Sequence, residues 1–390
     1  MDRVRNPFNP GAGTKPPLVV GRDGELELML VAVRRHALGR FERSILLTGL
    51  RGVGKTVLLN EFGRIAESEG WIHVHLEATE DFRTSTAIAG IARAVLLELS
   101  LKERAKERAK RGLGVLRSFI KVHVPLADVG TLTIDLEASP GRADTGQLDG
   151  DLAAIFTELG ESAKAGGCGV LITIDEIQYL PRTELSALIV GLHRVSQLGL
   201  PLLIAGAGLP SLPGLAGEAR SYAERLFQFV NVGSLNAQDA KRAVVEPVEH
   251  EGEEWGDGAV ELLVAATNGY PYFLQEFGKQ AWNVAEGLTI TKDDVSAASI
   301  LAVDDLDNGF FRARIDKTTD AEREYLRAMV KLDGPGPYRS GDVSKALGKS
   351  TSQTGPIRDA LVKRGLCYAP RHGEIAFTVP MFDEFVRRSL

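Results

Sequence analysis

The chain has 390 residues, 44% hydrophobic and 25% charged, a composition typical of a soluble globular protein with two or three domains. Its net charge of −6 gives no strong positive field that would draw the whole protein onto nucleic acid or an anionic membrane. Two cysteines, Cys168 and Cys367, are too few for a disulfide framework or a zinc site, and they fit a reducing cytoplasm, the location we expect.

Charge and composition divide the chain into regions. Residues 306–390 contain 15 basic and 11 acidic residues, a net charge of +4, whereas residues 236–305 contain 4 basic and 14 acidic residues, a net charge of −10. Residues 1–17 are rich in proline and glycine. We therefore predict a flexible tail (1–17), a core (18–235), a helical lid (236–305) and a C-terminal domain (306–390).

Strands and helices alternate through the core. This alternation predicts an α/β fold with a parallel sheet covered on both faces. A hairpin insert is expected at about 118–137, because "SFIKVHV" and "TLTIDLE" alternate around a turn. The uncharged run 198–217 contains three prolines and five glycines, so we interpret it as a buried strand and a loop and expect no membrane span. The predicted core strands are, in order, "RSILLTG", "WIHVHLEA", "GVLITIDE" and "PLLIAGAG".

The segment "GLRGVGKT" matches the Walker A pattern G-x-x-x-x-G-K-[ST]. Glycines let backbone N–H groups turn toward phosphate oxygens, and the following helix points its positive end at them. Lys55 would reach the β- and γ-phosphates, and Thr56 would offer its hydroxyl to Mg²⁺. The predicted nucleotide-binding residues of this loop are Gly49, Leu50, Arg51, Gly52, Val53, Gly54, Lys55, Thr56 and Val57.

Two acidic residues, Asp175 and Glu176, end the apolar strand "GVLITIDE" in the manner of a Walker B motif. Ligands bind at the carboxyl ends of strands in open α/β sheets. Asp175 is therefore predicted to hold Mg²⁺, and Glu176 to activate a water for attack on the γ-phosphate. This second carboxylate favours hydrolysis of ATP over transfer of its phosphate.

With these motifs the chain resembles the AAA+-type ATPases, near the origin-recognition-like and signal-transduction ATPases and a bacterial group described as ATP-binding proteins. The segment "VVGRDGELE" resembles the start of the AAA+ module near the adenine, where Gly21, Arg22 and Glu25 match. The resemblance implies a P-loop core with a five-stranded parallel sheet, an all-α helical lid, and ATP and Mg²⁺ as ligands. ATP and ADP are then the small-molecule partners.

The resemblance is less complete at the remaining motifs. The strand "PLLIAGAG" lacks the polar residue that senses the γ-phosphate in the family. Arg225 matches an arginine finger acting on a neighbouring subunit, which implies a homo-oligomer; an ordinary surface arginine is the alternative. Pro271 matches a Gly-x-Pro signature in which the proline packs on the base, or it simply starts a helix. The arginine common in the next helix of replication initiators is absent, and only Lys279 follows.

Residues 306–390 have the element order of a winged helix. Pro356 is expected to delay or bend the third helix. A DNA-contacting role and a protein-docking or intramolecular role are equally compatible with this module. If it binds duplex DNA, the candidate contacts are Thr351, Ser352, Gln353 and Arg358 on the third helix and Arg371 and His372 on the wing.

These patterns together predict an ATP-binding and ATP-hydrolysing protein that acts as a nucleotide-dependent switch and repositions its winged helix. One alternative is a DNA-binding ATPase of the initiator or mobile-element type. A second is a nucleotide-binding scaffold that does not hydrolyse ATP. His73 and His75 alternate on one strand and have no third ligand at a suitable spacing, so we expect a packed pair and not a metal site.

Overall fold

The computed structural model describes residues 1–11, 13–79, 83–129, 132, 137–332, 334 and 336–390. Its core is built on a parallel sheet with the strand order β2-β3-β4-β1-β5. The strands are β1 (Ser44–Thr48), β2 (Ile72–Glu77), β3 (Val170–Asp175), β4 (Leu202–Gly208) and β5 (Phe227–Asn231). The helices are α1 (Asp23–Ala37), α2 (Lys55–Ser68), α3 (Thr84–Ser100), α4 (Lys106–His123), α5 (Leu126–Val129), α6 (Leu148–Ala165), α7 (Arg182–Gln197), α8 (Leu212–Ala219) and α9 (Ala223–Leu226).

The sheet is buried on both faces, as its continuous apolar strands predict. Along β1, Ile45 and Leu47 pack into one cluster with α1 and α2, whereas Leu46 faces the opposite cluster formed by α3, α4, α6 and α7. This arrangement leaves the carboxyl ends of β1 and β3 open at one edge of the sheet.

The hairpin expected at 118–137 was wrong in its first strand. Residues 118–123 belong to α4, and residues 130–131 and 133–136 lie outside the described residues. The apolar residues Leu113, Leu116, Phe119 and Ile120 are buried together. Their spacing is that of one helix face, and burying this face outweighs the local alternation that resembled a strand.

The flexible tail expected at 1–17 was also wrong, because part of this segment is packed against the lid. Phe8 is 4% exposed, and a Cβ at Gly278 would lie 2.6 Å from its ring. The Asn6 amide donates to the Lys279 carbonyl at 3.0 Å, and the Trp282 indole donates to the Asp2 carbonyl at 2.8 Å. The prolines and glycines of residues 1–17 disfavour long helices and strands, but they do not prevent this segment from packing against the lid.

The lid is helical apart from a short pair of parallel strands, β6 and β7. Its buried residues belong to the same hydrophobic cluster as the α1–α2 face of the core. No helix among the described residues is long and apolar enough to cross a membrane. The lid contains α10 (Ala237–His250), β6 (Glu254–Trp255), α11 (Ala259–Thr267), α12 (Pro271–Val284), β7 (Thr289–Ile290) and α13 (Lys292–Asp305).

The C-terminal part has the order and the antiparallel sheet β8-β10-β9 of a winged helix. It is joined to the lid without a loop, because α13 continues through a π-helix, Leu306–Phe311, into α14. π-helices are rare and are frequently found at functional sites. The elements are α14 (Arg312–Ile315), α15 (Asp320–Lys331), β8 (Tyr338–Arg339), α16 (Ser340–Ala346), α17 (Thr351–Lys363), β9 (Cys367–Tyr368), β10 (Glu374–Phe377) and α18 (Phe382–Ser389).

Candidate functional site

The loop between β1 and α2 forms one side of a cavity of about 500 Å³, a size usual for small-molecule sites. Gly52 and Gly54 have φ angles of 87° and 92°, a backbone conformation that favours glycine. Among the described residues, nothing accepts a hydrogen bond from the N–H groups of 52–57. Free N–H groups at the start of a helix suit phosphate oxygens.

Lys55 is 7% exposed and points back along its own loop. Its ammonium group donates to the carbonyls of Gly49 and Leu50 at 3.0 and 2.8 Å. Burial lowers the pKa of Lys55 to about 8, although Glu176 and Asp175 act in the opposite direction. A buried cation held only by carbonyls and by nearby carboxylates is suited to an anionic ligand.

Thr56 and Asp175 meet at the end of β3, where the Thr56 hydroxyl donates to Asp175 Oδ2 at 2.5 Å. Asp175 is 6% exposed and also accepts the Glu176 N–H at 2.8 Å. A hydroxyl and a carboxylate facing the cavity together are oxygen donors of the kind that Mg²⁺ prefers. The residues present therefore fit the ion that the motifs predict.

Glu176 follows Asp175 in a left-handed conformation, with φ 50° and ψ 37°. Such a conformation is uncommon for a residue with a side chain and is often found at functional sites. The Gln178 amide donates to Glu176 Oε2, and the Arg51 guanidinium lies 3.6 Å from the same oxygen. The carboxylate thus lines the cavity with two fixed neighbours.

Gln178 occupies the space at the end of β4, a role that the motifs did not suggest. Its Oε1 accepts the Leu209 N–H at 3.2 Å, and a Cβ at Gly208 would lie 2.6 Å from that oxygen. Ala205, Gly206 and Ala207 are buried within β4 and present no polar side chain. Gln178 therefore connects this strand end to Glu176.

Arg22 lines the cavity beside the loop, whereas Gly21 does not. The Arg22 guanidinium donates to the carbonyls of Val53 and Gly233 at 3.2 and 2.5 Å, and burial lowers its pKa. A Cβ at Gly21 would lie 2.6 Å from an Asp239 oxygen. Arg22 thus ties the segment before α1 to the phosphate loop, while Gly21 contacts the lid.

Pro271 lines the cavity as the first residue of α12. The two tyrosines beside it contact the phosphate loop. The Tyr270 hydroxyl donates to the Arg51 carbonyl, and the Tyr272 N–H donates to the Gly52 carbonyl at 3.1 Å. These bonds attach the lid directly to the loop that would hold phosphate.

Arg314 of α14 also lines the cavity, although it lies beyond the lid. Its guanidinium lies 3.7 Å from the centroid of the Phe310 ring, and Phe310 stacks on Tyr272 at 5.1 Å. Arg314 does not belong to any of the sequence motifs described above. Two arginines in one helical turn do not by themselves indicate that either side chain lines the cavity.

Arg225 does not line the cavity. It is exposed on α9, and within the described part of the chain it forms no ion pair. His73 and His75 both contact the Thr173 hydroxyl at 2.9 Å, and no group of three metal-ligating side chains occurs among the described residues.

In the winged helix, α17 begins at Thr351, where Ser350 and Gln353 form a capping box. The expected late start at Pro356 was therefore wrong, because the cap fixes the start of the helix before the proline. Arg358 donates to the Ser340 hydroxyl and the Glu374 carbonyl, both at 3.2 Å, and so is committed to contacts within the module. The exposed candidates are Thr351, Ser352, Gln353, Arg371 and His372.

The parallel sheet, the phosphate loop after β1 and the acidic end of β3 define a P-loop nucleotide-binding domain. Residues 18–205 match the family model of the AAA ATPase domain, the family whose motifs the sequence resembles. Residues 308–386 match a domain of unknown function, DUF8462. A search of the curated proteins gives no match.

Solved structures resemble the chain over nearly its whole length. The Orc1 protein of Aeropyrum pernix, solved with DNA, is 16% identical with a TM-score of 0.51, over 99% of this chain and 96% of that one. Cdc6p of Pyrobaculum aerophilum is 14% identical with a TM-score of 0.49, over 100% and 97%. The RuvB branch migration motor of Thermotoga maritima is 15% identical with a TM-score of 0.45, over 91% and 92%. The likeness to Orc1 supports the fold, including its winged helix.

Proposed function

We propose that the protein binds ATP with Mg²⁺, hydrolyses it, and uses the nucleotide state to set the position of its winged helix. The observation that carries this proposal is the contact between the phosphate loop and the C-terminal module. The Arg51 N–H donates to the Thr378 carbonyl at 3.0 Å, so the loop that would hold phosphate also holds the winged helix.

Each residue of the site has its own role in the proposed binding and hydrolysis of ATP. The N–H groups of 52–57 and the Lys55 ammonium donate to phosphate oxygens, for which Lys55 leaves the carbonyls of Gly49 and Leu50. Thr56 and Asp175 would hold the metal ion. When bound, Mg²⁺ neutralises charge on the phosphates. Glu176 accepts a proton from the attacking water.

Movement of the phosphate loop would pass to the C-terminal module through short connections. Arg51 bonds to Thr378 in the winged helix and accepts from Tyr270 of the lid. A change at this loop alters both contacts together, and a two-state change of this kind is a common way to couple a ligand to a domain position.

Two variants test the nucleotide chemistry. Lys55→Ala should abolish ATP binding, because it removes the buried ammonium group proposed to bind the phosphates. Glu176→Gln should bind ATP and not turn it over, because an amide cannot accept the proton. Binding is measured by calorimetry and turnover by phosphate release. Equal turnover by the Glu176 variant and the wild type would rule out the assignment of Glu176.

DNA binding through the winged helix is the second candidate function. It is favoured by the exposed polar residues at the start of α17 and by Arg371 and His372 at the wing tip. Orc1 of A. pernix, similar in fold, was solved in complex with DNA. A gel shift with duplex DNA that weakens steeply with salt would support this function. Absence of a shift at low salt would favour a protein partner.

A further inference from the structure

Arg314 adds a cation to the cavity from outside the core and the lid, where Arg22, Arg51 and Lys55 already line it. It is the third residue of α14, directly after the π-helix that joins the lid to the winged helix. Lys55, Thr56 and Glu176 line the same cavity. An arginine of the C-terminal segment therefore shares a cavity with the residues proposed to bind the nucleotide.

The Arg314 guanidinium is fixed in position but leaves donors free. It lies over the Phe310 ring, and one nitrogen donates to the Phe310 carbonyl at 2.5 Å. It forms no ion pair with a carboxylate among the described residues. Burial and the neighbouring Arg51 cation together lower the pKa of Arg314 to about 10, although Tyr272 and Glu176 act in the opposite direction.

A desolvated guanidinium with free donors is stabilised by a bound anion that can accept a fork of hydrogen bonds. The phosphate loop already supplies its N–H groups and the Lys55 ammonium as donors to the phosphates. The end of β4 offers no polar side chain for the terminal phosphate, since Ala205, Gly206 and Ala207 stand there. A donor for that group besides Lys55 would then come from another element.

We propose that Arg314 binds the terminal phosphate of the nucleoside triphosphate held in the same subunit, so that ATP and ADP differ in how firmly they hold α14 in place. This inference rests on the proposed function. It adds a direct phosphate contact from the segment that leads into the winged helix. The stacking of Phe310 on Tyr272, whose N–H bonds to Gly52, keeps α14 aligned with the phosphate loop.

The test compares ATP and ADP affinity by calorimetry, with Mg²⁺ present, in full-length protein that carries Glu176→Gln so that ATP stays intact. Adding Arg314→Gln should weaken ATP binding about 10- to 100-fold, the loss expected for one charge-assisted contact. ADP binding should change less than about 3-fold, because ADP lacks the terminal phosphate. Adding Arg312→Gln is the matched control, since Arg312 is exposed two residues away, and both affinities should stay unchanged.

Arg314→Lys keeps a charge and an aliphatic stem over Phe310, and it serves if the glutamine variant does not fold. It should weaken ATP several-fold more than ADP, because it loses the planar fork. Equal weakening of ATP and ADP, or no weakening of either, overturns the role of Arg314 and leaves the proposed function standing. If the parent protein binds neither nucleotide, the proposed function itself is overturned.

Discussion

Arg51 and Gly365 lie in contact across the boundary between the phosphate loop and the winged helix. A Cβ at Gly365 would lie 2.6 Å from an Arg51 guanidinium nitrogen and 2.9 Å from the Tyr179 hydroxyl, to which Arg51 donates at 2.8 Å. Only glycine fits here without displacing Arg51. The close approach joins the C-terminal module to the same residue that lies 3.6 Å from Glu176.

Gly365→Ala should loosen the winged helix from the phosphate loop. The added methyl group meets the Arg51 side chain and separates it from Tyr179. Hydrogen exchange of the Arg51 amide should then rise in the nucleotide-free protein, because its bond to the Thr378 carbonyl opens more often.

Gly348→Ala is the matched control for this change. Gly348 has a φ angle of 64°, close to the 66° of Gly365, but a Cβ there would meet nothing within 4 Å. Both variants carry the same backbone strain of about 1 kcal/mol. If the Arg51 amide exchanges equally in the two variants, the contact with Arg51 does not hold the module.

Gln178 is expected to position Glu176 for proton transfer. Gln178→Met keeps the length of the side chain but removes its bonds to Glu176 and to the Leu209 N–H. Turnover should fall about tenfold relative to the wild type, which is part of the rate enhancement that a well-placed general base provides. The affinity for ATP should stay within about twofold of the wild-type value.

The measurements are steady-state phosphate release and calorimetric ATP binding on the same preparation. Gln197→Met, on the core helix α7, is the control, because among the described residues the exposed Gln197 side chain forms a hydrogen bond only with His193. A fall in affinity that equals the fall in turnover would assign Gln178 to folding of the site and not to Glu176.

The parts of the site that the sequence predicts are those made by consecutive residues. The loop 49–57 and the pair Asp175–Glu176 each sit at a strand end, so a local pattern fixes both their identity and their place. The fold class follows from the same alternation of strands and helices. Its match to the AAA ATPase model over 18–205 confirms that interpretation.

The contacts that the sequence does not predict join distant segments. Arg314 reaches the cavity through an aromatic contact with Phe310, and Thr378 reaches Arg51 through a backbone carbonyl. Neither depends on a residue pattern near the phosphate loop. In helix α4 a local pattern was misleading. Polar and apolar residues alternate over 118–123 as they do in a strand, but the segment packs against the core as part of a helix. Tertiary packing decided each case.

Arg225 offers a test of action between subunits. It is exposed and lies outside the cavity of its own chain. An arginine in this place can act on a bound nucleotide only if that nucleotide is held by a second subunit. Arg225→Ala should lower turnover per subunit about 10³-fold or more if it acts as an arginine finger. Wild-type turnover per subunit should also rise with protein concentration.

Mixing two inactive variants distinguishes an arginine finger from a folding defect. In a mixture of Arg225→Ala and Glu176→Gln protein, some interfaces combine an intact Glu176 with an intact Arg225 from the neighbour. Phosphate release should therefore return on mixing. Arg225→Ala protein that turns over ATP at the wild-type rate would leave Arg225 as an ordinary surface residue.

Phe8 should anchor the N-terminal segment to the lid. Phe8→Ala removes a buried ring that packs on Gly278, and such a change costs about 3 kcal/mol in the free energy of unfolding. Val4→Ala is the control: Val4 is 92% exposed, so its loss should cost less than about 0.5 kcal/mol. Urea unfolding of both variants measures the difference.

Because Asn9 and Pro10 line the cavity, undocking of this segment should also weaken ADP binding in the Phe8 variant and leave it unchanged in the Val4 variant. Equal stability of the two variants would mean that the segment does not hold the lid.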